Sequence, residues 1–131
     1  MIVALLLFML LAHILDDYVL QAPWLSRGKQ KAWWEKNASD SLYKNDYIMA
    51  LVCHALSWSI MIMLPLIIYS LGTGIDLRLF YLAVPVNLTI HAIVDDLKAN
   101  RHKINLIVDQ SIHFGQIIVT WLIFVLVFGV R

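Results

Sequence analysis

HAIVDDLKANRHKINLIVDQSIH, residues 91–113, sets two helix ends around a short basic loop. On each side of that loop a histidine and an aspartate stand four residues apart: His91 with Asp95, and Asp109 with His113. Residues four apart on a helix share a face, so each pair presents two adjacent ligands, acids or bases rather than scattered polarity. The stretch holds three of the chain's five histidines and three of its nine acids. A third pair of the same spacing, His13 with Asp17, lies near the N-terminus.

The surrounding sequence makes those polar pairs costly. The chain is 61% hydrophobic with a mean hydropathy of +0.76, against roughly 45–50% apolar residues in soluble domains. It reads as a membrane protein of one-domain length, 131 residues. The net charge of +1 says little, because in a membrane protein the distribution of charge matters more than its sum. The single cysteine, Cys53, excludes an intrachain disulfide and reads as a small apolar filler. Residues 2–12 are apolar enough for a signal peptide, but no Lys or Arg precedes them, and Asp16, Asp17 and Gln21 stand where a small-residue cleavage site would be. The expectation is a retained span.

Working outward, four spans are expected, over residues 2–20, 47–71, 79–97 and 104–130, each near or above the ~20 residues a crossing needs. Pro65 falls inside the second, and Gly72–Thr73–Gly74 reads as a tight turn after it. Residues 22–46 interleave Arg27, Lys29, Lys31, Lys36 and Lys44 with Trp24, Trp33, Trp34 and Tyr43. Aromatic rings and long cations both favour the membrane–water boundary, so this segment reads as an interfacial amphipathic stretch in contact with lipid. Such a mixture also suits nucleic acid, but tethering at both ends by membrane spans favours lipid. The fold class is therefore an all-α, four-helix membrane bundle with one interfacial segment. Its short spans leave room for a homo-oligomer, although no seam is legible.

Eight of the ten Lys and Arg lie in the loops 22–46 and 98–103, leaving Arg78 and Arg131 outside them. The positive-inside rule then puts both basic loops in the cytoplasm and both termini outside, in a bacterial inner membrane. At about 1.5 Å per residue, His13, His54, His91 and His113 come to one level, roughly 10–14 Å from the cytoplasmic ends of their helices. Asp17, Asp95 and Asp109 fall one turn nearer the cytoplasm, flanked by Asp16 and Asp96. Every span also carries one polar stripe: His13, Asp17 and Gln21; His54 and Ser57; Asn87, His91 and Asp95; Asp109, His113, Gln116 and Thr120. An ionisable side chain in hydrocarbon costs at least ~2.5–3.5 kcal/mol, so the stripes should face one another. A polar cytoplasmic half and a dry outer half follow.

Imidazole and carboxylate converging from different helices are the donors of zinc and related divalent ions, and a cation would neutralise the buried acids. The expected ligands are His13, Asp17, His54, His91, Asp95, Asp109 and His113, with zinc first among the metals. An open coordination position would let a bound water attack an ester, amide or phosphoester, with Asp16, Asp96 or Asp17 as general base. Lys29, Lys98, Arg101 and Lys103 would form a basic rim for an anionic or lipid-linked substrate. His102 reads as solvated. Three other readings compete. The His/Asp pairs could simply close the bundle. Proton or metal transport would use the same groups, but residues 60–68 and 117–128 are nearly all apolar and offer no path across the bilayer. An oligomeric interaction protein would recruit a partner through its basic-aromatic loop.

In order along the chain, the motifs are His13, Asp17, Leu20 and Gln21; a basic loop with Trp24 and Lys29; a lone His54; His91, Asp95 and Lys98; then Asp109 and His113. This order resembles the small bacterial and phage-borne membrane proteins grouped as domain of unknown function 3307. Each piece is short, but together they cover nearly the whole chain. Tyr18 stands where members commonly carry Phe, which leaves the ligand pattern intact. The resemblance implies a polytopic inner-membrane protein and brings no activity with it. In chemistry the motifs are also similar to membrane-bound metal-dependent hydrolases and His/Asp zinc amidases, an analogy that identifies no substrate.

Overall fold

Apolar runs with one polar stripe fold as helices in lipid, because hydrocarbon offers no partner to a bare backbone N–H or C=O. In the computed structural model, which describes residues 1–38 and 40–129, the elements in chain order are α1 (Ile2–Ile14) with a π-helical continuation (Leu15–Leu20), α2 (Pro23–Gly28), α3 (Lys31–Asn37), a 3₁₀ turn (Ser41–Tyr43), α4 (Asp46–Thr73), α5 (Arg78–Ala99) and α6 (Leu106–Phe128). No strand occurs among the described residues. Four helices are long and apolar enough to cross a membrane: α1 with its continuation, α4, α5 and α6. The chain is a four-helix bundle, and α2, α3 and the 3₁₀ turn make up the basic-aromatic segment.

Local chemistry sets where the helices stop. The Gly72–Gly74 turn tightens to Gly74 alone: α4 continues through Gly72 and Thr73, and Gly74 adopts φ 73° as its left-handed cap. The Ile75 N–H then reaches back to the Ser70 carbonyl at 3.0 Å. At the start of α6 the Asn105 side chain accepts the Val108 N–H at 2.9 Å, which places the first helical residue at Leu106 rather than at 104. The expected end of that span, Val130, and Arg131 lie outside the described residues.

The π-helical segment is the main departure from regular winding. There the Gln21 N–H donates to the Asp16 carbonyl at 3.0 Å, one residue further back than in an α-helix. Asp16 and Asp17 follow His13 by three and four residues and so fall toward its face. Asp16 is 3% exposed.

Apolar residues fill the half of the bundle remote from the basic loops, where Leu5 and Met9 meet Ile62, Met63, Leu66, Phe80, Ile117 and Phe124. Large apolar side chains such as Leu7, Phe8, Leu82, Ile107 and Leu126 point outward, as lipid contact requires. Trp58 sits between the dry core and the histidines, fully buried, with its indole N–H on His13 Nδ1 at 2.7 Å. Trp58→Ala should therefore cost about 3–5 kcal/mol through the cavity it leaves. Trp58→Phe, which keeps most of the packing and loses the hydrogen bond, should cost about 1–2 kcal/mol. Denaturant unfolding in micelles measures both, and an alanine cost below about 1 kcal/mol would contradict this placement.

Candidate metal centre

Four helices bring the polar stripes into one interior cluster, with Asp95 at its hub. Asp95 Oδ2 lies 3.6 Å from His54 Nε2 and 3.8 Å from His91 Nε2, and its Oδ1 lies 3.6 Å from His113 Nε2. His54 Nε2 is also 3.3 Å from Asp17 Oδ1, and His113 Nε2 is 3.5 Å from Asp109 Oδ1. The His91 ring stacks between Trp58 (centroids 4.2 Å apart) and His113 (4.1 Å). His91, His113 and Asp109 are completely buried.

Most of these separations are longer than good hydrogen bonds, which run about 2.7–3.2 Å. They suit ligands that share a cation: donors 2.0–2.1 Å from zinc at tetrahedral angles stand roughly 3.3–3.4 Å apart. Two ligand triads result, Asp17–His54–His91 and His91–Asp95–His113, each with its donor atoms within 4.8 Å of one another. Both nitrogens of His91 and of His113, together with Asp17 Oδ1 and Asp109 Oδ1, are buried without a hydrogen-bond partner. Leaving such a group unpaired costs about 1–3 kcal/mol, a cost that a ligand held among these donors and acceptors would relieve.

Two expected ligands, Asp109 and His13, belong to neither triad, and His13 is engaged elsewhere. Its Nδ1 accepts from Trp58, which leaves the ring proton on Nε2, 3.1 Å from Gln110 Oε1. It stands edge-on to Phe114 and belongs to neither triad. The two carboxylates expected as general bases also part company. Asp16 stays inside: its Oδ1 accepts from Ser57 Oγ at 2.6 Å, and its Oδ2 lies 3.8 Å from His54 Nδ1. Asp16 Oδ2 is itself buried without a hydrogen-bond partner. Asp96 turns outward to the Arg101 guanidinium, at 2.7 Å, and to Asn100 at 2.9 Å, and does not join the cluster. The next residue along a helix from Asp95 points about 100° away, which is enough to take it off the interior face.

The basic rim divides in the same manner. Arg101 remains at the surface. Lys29 is 9% exposed and places Nζ 2.6 Å from Asp95 Oδ2, while Lys98 Nζ sits 2.5 Å from Asp109 Oδ2. Asn100 holds the Lys29 segment in place: its Nδ2 donates to the Lys29 carbonyl at 3.1 Å, and its Oδ1 accepts the Lys31 N–H at 2.7 Å. Trp58, Gln110 and Asn100 were not among the site residues expected from sequence. Trp58 follows His54 by four residues and Gln110 precedes His113 by three, spacings that share a helical face and could have signalled both.

Beyond the histidines, Gln116 donates to the Asn87 carbonyl and to Asn87 Oδ1, both at 2.8 Å, and Thr120 reaches Asn87 Oδ1 at 3.2 Å. Polarity then stops against Leu66, Phe80 and Phe124.

The fold and the cluster together define a class: an all-helical protein with membrane-spanning helices, whose interior His/Asp groups could hold a metal ion. The profile of the family described as "Protein of unknown function (DUF3307)" matches residues 5–129, and the chain belongs to that family. No curated protein and no solved structure matches it.

Proposed function

We propose that the protein binds a divalent metal, zinc first among the candidates, within a bacterial inner membrane, with both termini outside and the basic loops in the cytoplasm. The observation that carries this reading is the pair of His/Asp triads gathered from four helices, with atoms of Asp17, His91 and His113 buried and unpartnered among them. His54, His91 and His113 supply nitrogen, Asp17 and Asp95 supply oxygen, and Asp109 stands beside His113. Asp16 lies beside His54. A cation held here supplies Lewis acidity and lowers the pKa of a bound water. The activity we assign to the centre is hydrolysis of an anionic or lipid-linked substrate, with Asp16 or Asp17 as the interior carboxylate nearest the role of base.

Conduction is the second reading, and the Asn87–Gln116–Thr120 network favours it by extending polarity beyond the histidines. The closure at Leu66, Phe80 and Phe124 supports binding over passage.

Cobalt tests the coordination directly. Titrating the purified protein with Co²⁺ should produce the intense visible absorption of a tetrahedral centre at about one equivalent, bleached by Zn²⁺ and weakened in acid as imidazoles take up protons. A folded protein that gives no such spectrum contradicts the reading. Metal flux in proteoliposomes would favour conduction instead.

A further inference from the structure

The metal cluster has a second chamber above it. Gln21, Ser26, Lys29, Gln30, Lys98 and His102 line a cavity of about 330 Å³ at the basic-loop end, with Asp95 as the one acid in its wall. Its lining is rich in hydrogen-bond donors. Gln21 Nε2 is buried there without a partner, and Gln30 Nε2 has only the Ser26 carbonyl at 3.5 Å. The two ammoniums are held by acids of the metal cluster, Lys29 by Asp95 and Lys98 by Asp109.

We propose that this cavity binds a phosphoryl oxyanion, and that a cation in the His/Asp cluster creates the site by drawing Asp95 away from Lys29. The proposal rests on the metal reading above and goes beyond it in naming the substrate class and the coupling. A carboxylate oxygen that coordinates a divalent ion gives up most of its attraction for an ammonium, since both compete for the same lone pairs. Lys29, with three N–H donors, then faces the cavity together with Lys98, the Gln21 amide and the Ser26 hydroxyl. Two positive charges and several donors around one space match a tetrahedral dianion with three free oxygens better than a carboxylate with two. The cavity also leaves room for a substituent, so the group recognised is the phosphate of a monoester. A lipid headgroup and a soluble phosphate ester share that chemistry.

The test uses the full-length protein in detergent, zinc-loaded with excess metal removed or stripped by chelator. Bound zinc is measured on every sample. Calorimetry with inorganic phosphate should show binding tightened about tenfold or more by zinc, a typical coupling between two sites. Lys98→Gln should weaken phosphate binding by about tenfold or more, as expected for a charge-assisted hydrogen bond. Because that change leaves Asp109 without its cation, Gln21→Leu serves as the second variant, and it should weaken phosphate binding while retaining zinc. Zinc present but phosphate affinity indifferent to zinc, or unaltered in both variants, overturns the inference and leaves the metal reading standing. Zinc missing from the wild type removes both. Reconstitution in nanodiscs separates the sources of the phosphoryl group. Phosphate binding lost in phosphatidate discs but kept in phosphatidylcholine discs supports the site with a lipid headgroup as its ligand. Phosphate binding kept in both supports it with a soluble ester.

Discussion

His91→Ala should lower the affinity for zinc by at least about 100-fold, more than removal of a group that merely orients a ligand. His91 is the residue common to both ligand triads, so its loss reduces each of them to two donors. Both of its nitrogens are buried and unpartnered, and no other described imidazole lies closer to His113. The stacking between Trp58 and His113 fixes the ring plane, so a substitute side chain in the same volume cannot restore the donor. Cys53→Ala is the control: Cys53 precedes His54 but faces outward, and its loss should leave zinc binding unchanged. Competition with a chromophoric chelator gives the affinities. A His91→Ala protein within about threefold of wild type would show that the orphaned nitrogens are not ligands.

Asp95→Ala should destabilise the fold by about 3–5 kcal/mol, because it leaves the buried Lys29 ammonium without its carboxylate. The geometry makes this more than a surface pair: the contact is 2.6 Å, both side chains are nearly inaccessible, and the backbone of Lys29 is tied down by Asn100. Lys29→Met should cost a comparable amount by leaving Asp95 among ring nitrogens with one cation fewer. The double variant Asp95→Leu/Lys29→Met should recover most of the loss, since it removes both desolvated charges and fills the space with apolar volume. Unfolding free energies for the two single variants and the double complete the cycle. Strictly additive losses would mean that Lys29 and Asp95 do not interact. The stable double variant should still fail to bind zinc, which separates the hub's role as a ligand from its role in holding the loop.

The spans were legible because lipid demands uninterrupted apolar helices, and the Lys and Arg content of the intervening segments marked their limits. Their ends shifted by a residue or two wherever a cap decided the matter, as at Gly74 and Asn105. The convergence of His54, His91, Asp95 and His113 followed from four-residue spacing and the cost of exposing such groups to hydrocarbon. Three features were not legible. The π-helical winding at Leu15–Leu20 is a choice between carbonyl partners which side-chain periodicity does not encode. The capture of His13 depends on Trp58 and Gln110, from helices 45 and 97 residues away in the chain. Lys29 entered the interior because Asn100, 71 residues further on, grips its backbone. In the last two cases a tertiary contact redirected a side chain whose local sequence pointed elsewhere.

Elemental analysis of the purified wild-type protein, after equilibration with zinc and removal of excess, reads directly whether the buried His/Asp cluster holds a metal. About one tightly held zinc per chain is expected, released by a strong chelator with a fall in unfolding temperature. A folded wild-type protein retaining less than about a tenth of an equivalent under the same conditions would contradict it.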